Sequence, residues 1–303
     1  MMAVPTTIAQ QTVYKFPIQY IDWEGQRIAY VDQGDQEGPT LLLVHGLGGY
    51  IKHWYTLIDS LQDDFRVVAM DLPGYGASTL QQMPSEDPMS YFAQAVDALC
   101  NKLQLQNVTL VGHSMGGQVA IVSALDNPDW LGRLVLLAPA GLETFTTEEA
   151  QQIRAITTAE AFRNQTEEQI RYAFRINFAR EHEWVEEFIQ DRLDAREATD
   201  FDAYCKVREQ AVEGMLSHPV IDELSEIKAP TTVMFGEMDL LIPNRVLHPT
   251  LTPKSVANVA KKITAAEVIM VPNAGHMIQV DQPGLVTKIT GGKARNNEQI
   301  SNL

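Results

Sequence analysis

The sequence predicts an α/β protein: a mainly parallel sheet of eight strands, flanked by helices, with a helical segment inserted between the sixth and seventh strands. Three observations lead there. Short apolar runs alternate with amphipathic stretches along most of the chain, residues 143 to 213 carry helix signals and no strand, and polar residues stand directly after several apolar runs. No internal repeat or low-complexity tract interrupts the pattern.

The first two strands, Phe16 to Ile21 and Arg27 to Asp32, are separated by Trp23-Glu24-Gly25-Gln26, which reads as a hairpin turn. Further strands follow at Thr40 to Val44, Arg66 to Met70, Val108 to Val111, Arg133 to Ala138, Thr231 to Phe235 and Glu267 to Val271. Between them the periodicity predicts helices at His53 to Leu61, Tyr91 to Leu103, Met115 to Leu125, Val220 to Ile227 and Ser255 to Lys262.

Residues 143–213 break the alternation. Thr146 with Glu149, and Thr166 with Gln169, have capping-box spacing ahead of apolar-periodic runs. Ile170, Phe174 and Phe178 recur every fourth residue, and Trp184, Val185, Phe188 and Ile189 form a second stripe. Seventeen acidic and nine basic side chains leave the segment at −8, half of the chain's −16, as befits helices with one wet face and one apolar face. The expected organisation is a core of residues 1–141 and 220–303 interrupted by a helical lid at 142–219. Such a lid covers the carboxyl edge of the sheet, where open α/β sheets bind ligands. Most lid aromatics are expected to form the lid's own core; Phe145, Phe162, Tyr172 and Trp184 suggest an apolar substrate group.

The bulk numbers exclude several classes. A net charge of −16 in 303 residues repels nucleic acid and anionic lipid, so neither is an expected partner. Two distant cysteines, Cys100 and Cys205, make no disulfide framework and suit a reducing compartment. The opening MMAVPTTIAQQ has no basic or apolar leader pattern, and no eighteen-residue apolar run predicts a membrane span, so the expected location is cytoplasmic. The seven histidines are scattered without a pair at ligand spacing, and neither metal nor cofactor is expected.

The chemistry is concentrated at strand ends. In Val108-Thr-Leu-Val-Gly-His-Ser-Met-Gly-Gly117 a buried strand stops at a serine framed by Gly112 and Gly116. A strand turning into a helix within two residues forces its central residue into a backbone few side chains tolerate, and small neighbours relieve the crowding. Ser114 is therefore the candidate nucleophile. It needs a base and a group to orient that base. His276, in the loop after the strand ending at Val271, is the candidate base, and Asp239, just beyond the strand ending at Phe235, the candidate acid. His113 is expected to project away from the serine, His45 precedes a glycine turn, and His182, His218 and His248 lack a preceding strand. Glu237 and Glu143 compete less well for the acid. The loop His45-Gly46-Leu47-Gly48-Gly49 follows a strand and lets the main chain approach a bound group closely; the backbone N–H groups of Leu47 and Met115 are the expected oxyanion donors.

HGLGG at 45–49, DLPGYGAS at 71–78, GHSMGGQVA at 112–120 and the terminal Gly275-His276 pair together resemble the α/β-hydrolase superfamily over roughly residues 25 to 290, apart from the lid. GHSMGGQVA followed by LLAPAGLE at 136–143 is similar to its monoacylglycerol-lipase and carboxylesterase branch. The resemblance implies a serine hydrolase cleaving carboxylic esters, with a small-molecule, apolar acyl ester as partner. Serine at the nucleophile position argues against the dehalogenases and epoxide hydrolases of this fold, which use aspartate there. Carbon–carbon bond hydrolases of ring-fission products often carry tryptophan after the histidine and an arginine in the lid. Met277 takes the first position, and Arg154, Arg163, Arg171 and Arg175 are candidates for the second. A slow-turnover receptor on the same fold is the reading from another class. The stretch Asn244 to Lys262, with Pro249 and Pro253, looks longer than the family pattern.

Overall fold

The computed structural model describes residues 6–79, 83 and 87–291, so the first five residues of the stretch read for a leader lie outside the described residues. Its eight strands are β1 (Gln19–Trp23), β2 (Gln26–Gly34), β3 (Thr40–Val44), β4 (Arg66–Met70), β5 (Val108–His113), β6 (Leu131–Leu137), β7 (Thr231–Gly236) and β8 (Glu267–Val271). They form one sheet in the order β1-β2-β4-β3-β5-β6-β7-β8. β2 runs antiparallel to both neighbours, and all pairings from β4 to β8 are parallel. The β1–β2 hairpin turns at Glu24 and Gly25, both with positive φ (49° and 74°), as a two-residue turn matching strand twist requires.

Every residue of β3 from Leu41 to Val44, and of β5 from Leu110 to His113, is buried. Since successive side chains point to opposite faces, both faces of the sheet are covered. Helix Pro88–Lys102 packs against Met115–Leu125, and Tyr55–Leu61 against Pro283–Thr290. The chain goes from β3 outward to β4, then returns past β3 to β5, so the sheet switches direction between β3 and β5. The loops after these strands carry Gly46 and Ser114. A ligand crevice is expected at such a switch point.

Between β6 and β7 lie five helices: Thr147–Ile156, Ala159–Arg163, Glu167–Arg175, Glu183–Ala195 and Phe201–Ser217. Both capping boxes form, with Thr146 and Thr166 accepting from the amides of Glu149 and Gln169 while those side chains reach back. The apolar stripes make a second core in which Ile170, Phe178, Val185, Phe188 and Ile189 pack with Tyr50 and Met277 of the sheet-end loops and Val280 of the short helix Ile278–Asp281. Phe178 lies beyond the end of helix Glu167–Arg175, so the fourfold repeat runs past the helix it predicts.

Three expectations need correcting. The first strand begins at Gln19 rather than Phe16, because Pro17 has no N–H for the ladder, and Phe16 instead packs edge-on against Tyr55. Residues Val220 to Ile227 form turns and a 3-10 segment, Leu224–Glu226, rather than a helix. Val220, Leu224 and Ile227 are buried as their spacing predicts, but Pro219 and Pro230 confine the segment. The helix from Ser255 starts earlier, at Pro253, capped by Thr252, and gives way to a 3-10 turn at Asn258–Lys262. Cys100 and Cys205 are both free and buried. Among the described residues no helix is long and apolar enough to cross a membrane.

Candidate active site

Ser114 has φ 54° and ψ −120°, a strained conformation for a side chain with a Cβ, between the end of β5 and the start of helix Met115–Leu125. Its amide donates to the Leu137 carbonyl and its carbonyl accepts from Gly117 and Ala140, so the turn is held from three directions. The flanking glycines are obligatory. A Cβ on Gly112 would stand 2.3 Å from the Gly116 oxygen, and one on Gly116 2.3 Å from the Val44 oxygen. The loop after β3 lies as close: a Cβ on Gly46 would come within 2.9 Å of the Ser114 Cβ.

The β7 and β8 loops bring Asp239 and His276 into contact, both almost wholly buried. His276 Nδ1 donates to Asp239 Oδ2 at 2.9 Å, and Asp239 Oδ1 accepts from the amides of Leu241 and Ile242 at 2.8 and 3.0 Å. A carboxylate held on both oxygens fixes the ring's tautomer: Nδ1 carries the proton and Nε2 is left as acceptor. Ser114 and His276 line the same cavity of about 430 Å³, together with Gly46 and Leu47. Among the described residues no hydrogen bond joins the Ser114 hydroxyl to the ring. The amides of Leu47 and Met115 likewise have no acceptor among the described residues, Met115 being the first residue of its helix, where the N–H has no intrahelical partner.

The supporting histidines are neutral. His45 Nε2 accepts from the Leu72 amide, and burial lowers its pKa to about 4. Burial, with the charges of neighbouring groups, brings His53 down to about 3 and His113 well below the ordinary range. His113 lines the same cavity as Ser114, with its ring centroid 4.9 Å from that of His276, and its Nε2 donates to the His276 carbonyl at 3.0 Å, bracing the loop that carries the base. Asp281 is a second residue the sequence reading missed. Its buried Oδ2 accepts from Gly275 and Ala179, and its Oδ1 lies 2.6 Å from His182 Nε2, tying the loop of His276 to the inserted helices. Nothing in the sequence distinguishes it from a surface aspartate on a short helix.

Among the described residues neither competing carboxylate is hydrogen-bonded to the ring. Glu237 is exposed. Glu143 accepts from the Asn244 amide and pairs with His248, which Phe145 stacks upon, so it anchors the Asn244–Lys262 excursion. Burial raises the Glu143 pKa, and Glu143 raises that of His248.

The inserted helices close the cavity with Phe174, Phe188 and Val212, and Phe145 contributes from the connection before them. Tyr172 is exposed and Trp184 packs at the margin of the second core, so neither lines the cavity. None of Arg154, Arg163, Arg171 and Arg175 lines it either; the first three are held outside by Glu213, Asp202, and Glu167 with Glu186. Arg192 and Arg208 do line it.

Known proteins agree with this architecture. The chain is 28% identical over 260 residues to a dihydrolipoyllysine-residue acetyltransferase component of an acetoin cleaving system from Pseudomonas putida, covering 85% of this chain but only 64% of that one. It is 24% identical to a Homo sapiens monoacylglycerol lipase, with 90% and 80% of the two chains covered. A probable hydrolytic enzyme from Pseudomonas aeruginosa superposes with a TM-score of 0.83 at 22% identity, over 96% of this chain and 99% of that one. Residues 39–283 match the family model described as alpha/beta hydrolase fold, and the chain belongs to that family.

Proposed function

We propose that this protein is a serine hydrolase that cleaves carboxylic esters through an acyl-enzyme intermediate. The observation that carries the proposal is the buried Asp239–His276 pair, which presents a proton-accepting Nε2 to the cavity that Ser114 enters from its strained turn. In the reaction His276 takes the Ser114 proton as the oxygen attacks the ester carbonyl, and Asp239 stabilises the imidazolium. The amides of Leu47 and Met115 bind the oxyanion; losing one such donor typically costs about 3 to 4 kcal/mol in the barrier. Collapse expels the alcohol, and water activated by the same ring releases the acid. Residues 142–219 act as the lid over a core of 1–141 and 220–303. The monoacylglycerol lipase among the relatives supports an ester substrate, and methionine rather than tryptophan after His276 favours ester over carbon–carbon cleavage.

A panel of acyl esters from short to long, including a monoacylglycerol, assayed on wild type and Ser114→Ala tests the reading. The variant is expected to lose on the order of 10⁴-fold or more in kcat and to escape labelling by an organophosphorus probe. Near-full activity of the variant would refute it. Turnover confined to a dienoic ring-fission product would replace ester with carbon–carbon hydrolysis, and triad labelling with negligible steady-state turnover would favour a receptor.

A further inference from the structure

We infer that Arg192 and Arg208 form an anion-binding subsite beside the loop of Leu47, and that the substrate is an ester carrying a free carboxylate. This rests on the ester reading above and replaces the expectation of a wholly apolar ester.

The inserted segment is strongly acidic, yet its charge is sorted. Three of its outward arginines, Arg154, Arg163 and Arg171, are paired with carboxylates, whereas the two that reach the cavity are not. Arg208 has no hydrogen-bond acceptor among the described residues. Its guanidinium lies over the Phe162 ring at 3.9 Å, and its Nε is buried without a partner. Arg192 has one protein acceptor, the Gly48 carbonyl at 3.0 Å, and lies over Tyr204 at 4.8 Å. The Tyr204 hydroxyl is buried and unpartnered too.

These groups converge. A Cβ built on Gly48 would meet Arg192 Nη2 at 3.0 Å, the Tyr204 hydroxyl at 3.3 Å and Arg208 Nε at 3.5 Å. The convergence lies one residue from Leu47, the proposed oxyanion donor. Nearby carboxylates are already engaged: Asp191 by Tyr50 and Lys52, Glu143 by Asn244 and His248. Two like charges therefore face one cavity uncompensated, and burial together with Arg192 lowers the Arg208 pKa to about 10. An uncompensated buried cation is costly, and a planar guanidinium pair is the recognition element a carboxylate fits. Aromatic faces under both guanidinium planes hold them open to a ligand rather than to the protein.

Two measurements test this. Wild type is assayed on the monoethyl ester of adipic acid and on the matched ethyl ester ending in a carboxamide; kcat/KM should favour the carboxylate by about 10- to 100-fold. Binding is then measured by calorimetry with adipate itself, which has no ester to cleave. Adipate should bind wild type and lose about tenfold or more in affinity in Arg208→Gln and again in Arg192→Gln, with the circular dichroism of each variant checked against wild type. Equal kcat/KM for the two esters, with adipate affinity unchanged in both variants, would overturn the subsite. If neither ester is hydrolysed while adipate binds and the arginines control its affinity, the subsite stands and the ester reading falls. The wild-type ester comparison decides the matter even where a variant does not fold.

Discussion

Ser114 and Arg192 face one cavity, yet the chain holds them by different means. Ser114 is set by backbone: a strained φ, two glycines with no room for a side chain, and main-chain bonds from three neighbouring segments. Arg192 and Arg208 are set by side-chain packing on amphipathic helices whose outer faces are wet and ion-paired. A position defined by backbone tolerates almost no substitution, whereas one on a helix face changes its side chain without moving the chain. Under the function proposed above, the strand-end loops would carry the chemistry that must stay fixed, and the inserted helices the substrate preference that is free to vary. The joint between them is the second core, with Asp281 as its polar link.

The largest expected contrast is at Asp239. Asp239→Asn keeps the size of the side chain but puts an amide N–H donor where His276 Nδ1 had a carboxylate acceptor, favouring the wrong tautomer, and kcat should fall on the order of 10⁴-fold with an unchanged circular dichroism spectrum. A comparable kcat loss on removing a charge from the outer helices, with the fold intact, would erase the distinction drawn between the two regions. Next comes Gly116→Ala. The added Cβ meets backbone at Val44 and His45, which has no rotamer to yield, so unfolding in urea should show a loss of about 3 kcal/mol or more. Gly284→Ala, where no atom lies within 4 Å of the new Cβ, serves as the control and should leave the midpoint nearly unchanged.

Acid should strike the joint and the loops together. His45 and His53 have folded pKa values near 4 and 3 against 6.5 when free, and His113 is also lowered. The unfolded chain thus binds more protons between those values, and the stability present above pH 6.5 is lost as pH falls toward 4 and below. At about 1.4 kcal/mol per pKa unit, His45 alone accounts for about 3 kcal/mol. Asp71 works the other way: burial raises its pKa from 3.8 to about 6, despite bonds from Tyr14, Ile51 and Ala77, so its contribution improves as pH falls through that window. Glu143, raised by burial, and His248, raised by Glu143, act in the same direction as Asp71. The three buried imidazoles oppose them with the larger shifts, and urea midpoints measured from pH 7 to pH 4 should fall. His53→Gln should flatten the slope; a flat profile in wild type would show that these rings do not stay neutral in the folded protein.

The sequence carries the loops better than the inserted helices for a physical reason. Ser114, Asp239 and His276 each stand directly behind an apolar run that declares itself a strand, and glycines mark the close approaches. Strand ends lie at one edge by topology, so proximity follows without knowledge of packing angles. Thr40–Val44, Arg66–Met70 and Glu267–Val271 have the predicted boundaries because apolar runs bounded by turn residues permit little else. Arg192 and Arg208 lie on two different helices, and which face of each turns inward depends on crossing angles that periodicity does not encode. The arginines singled out by sequence, Arg154 among them, fit the pattern equally well and turn outward. His113 and Asp281 act through single hydrogen bonds to loops distant in sequence, which leave no periodic signal.

The smallest expected effect lies on that outer face. Arg154 pairs with Glu213, joining helix Thr147–Ile156 to Phe201–Ser217, but both side chains are more than a third exposed. Solvent and salt screen such a pair, and holding two long side chains in one geometry offsets much of the attraction. Arg154→Ala should cost below about 1 kcal/mol in urea unfolding, and less still in high salt. Its effect on ester turnover should be slight, because Arg208 leans on Phe162 rather than on this pair. A drop in kcat/KM for carboxylate esters alone, with the neutral ester unaffected, would instead show that the outer ion pair sets the orientation of helix Phe201–Ser217, and hence of Arg208. The sorting of charge between the two faces would then be coupled rather than independent.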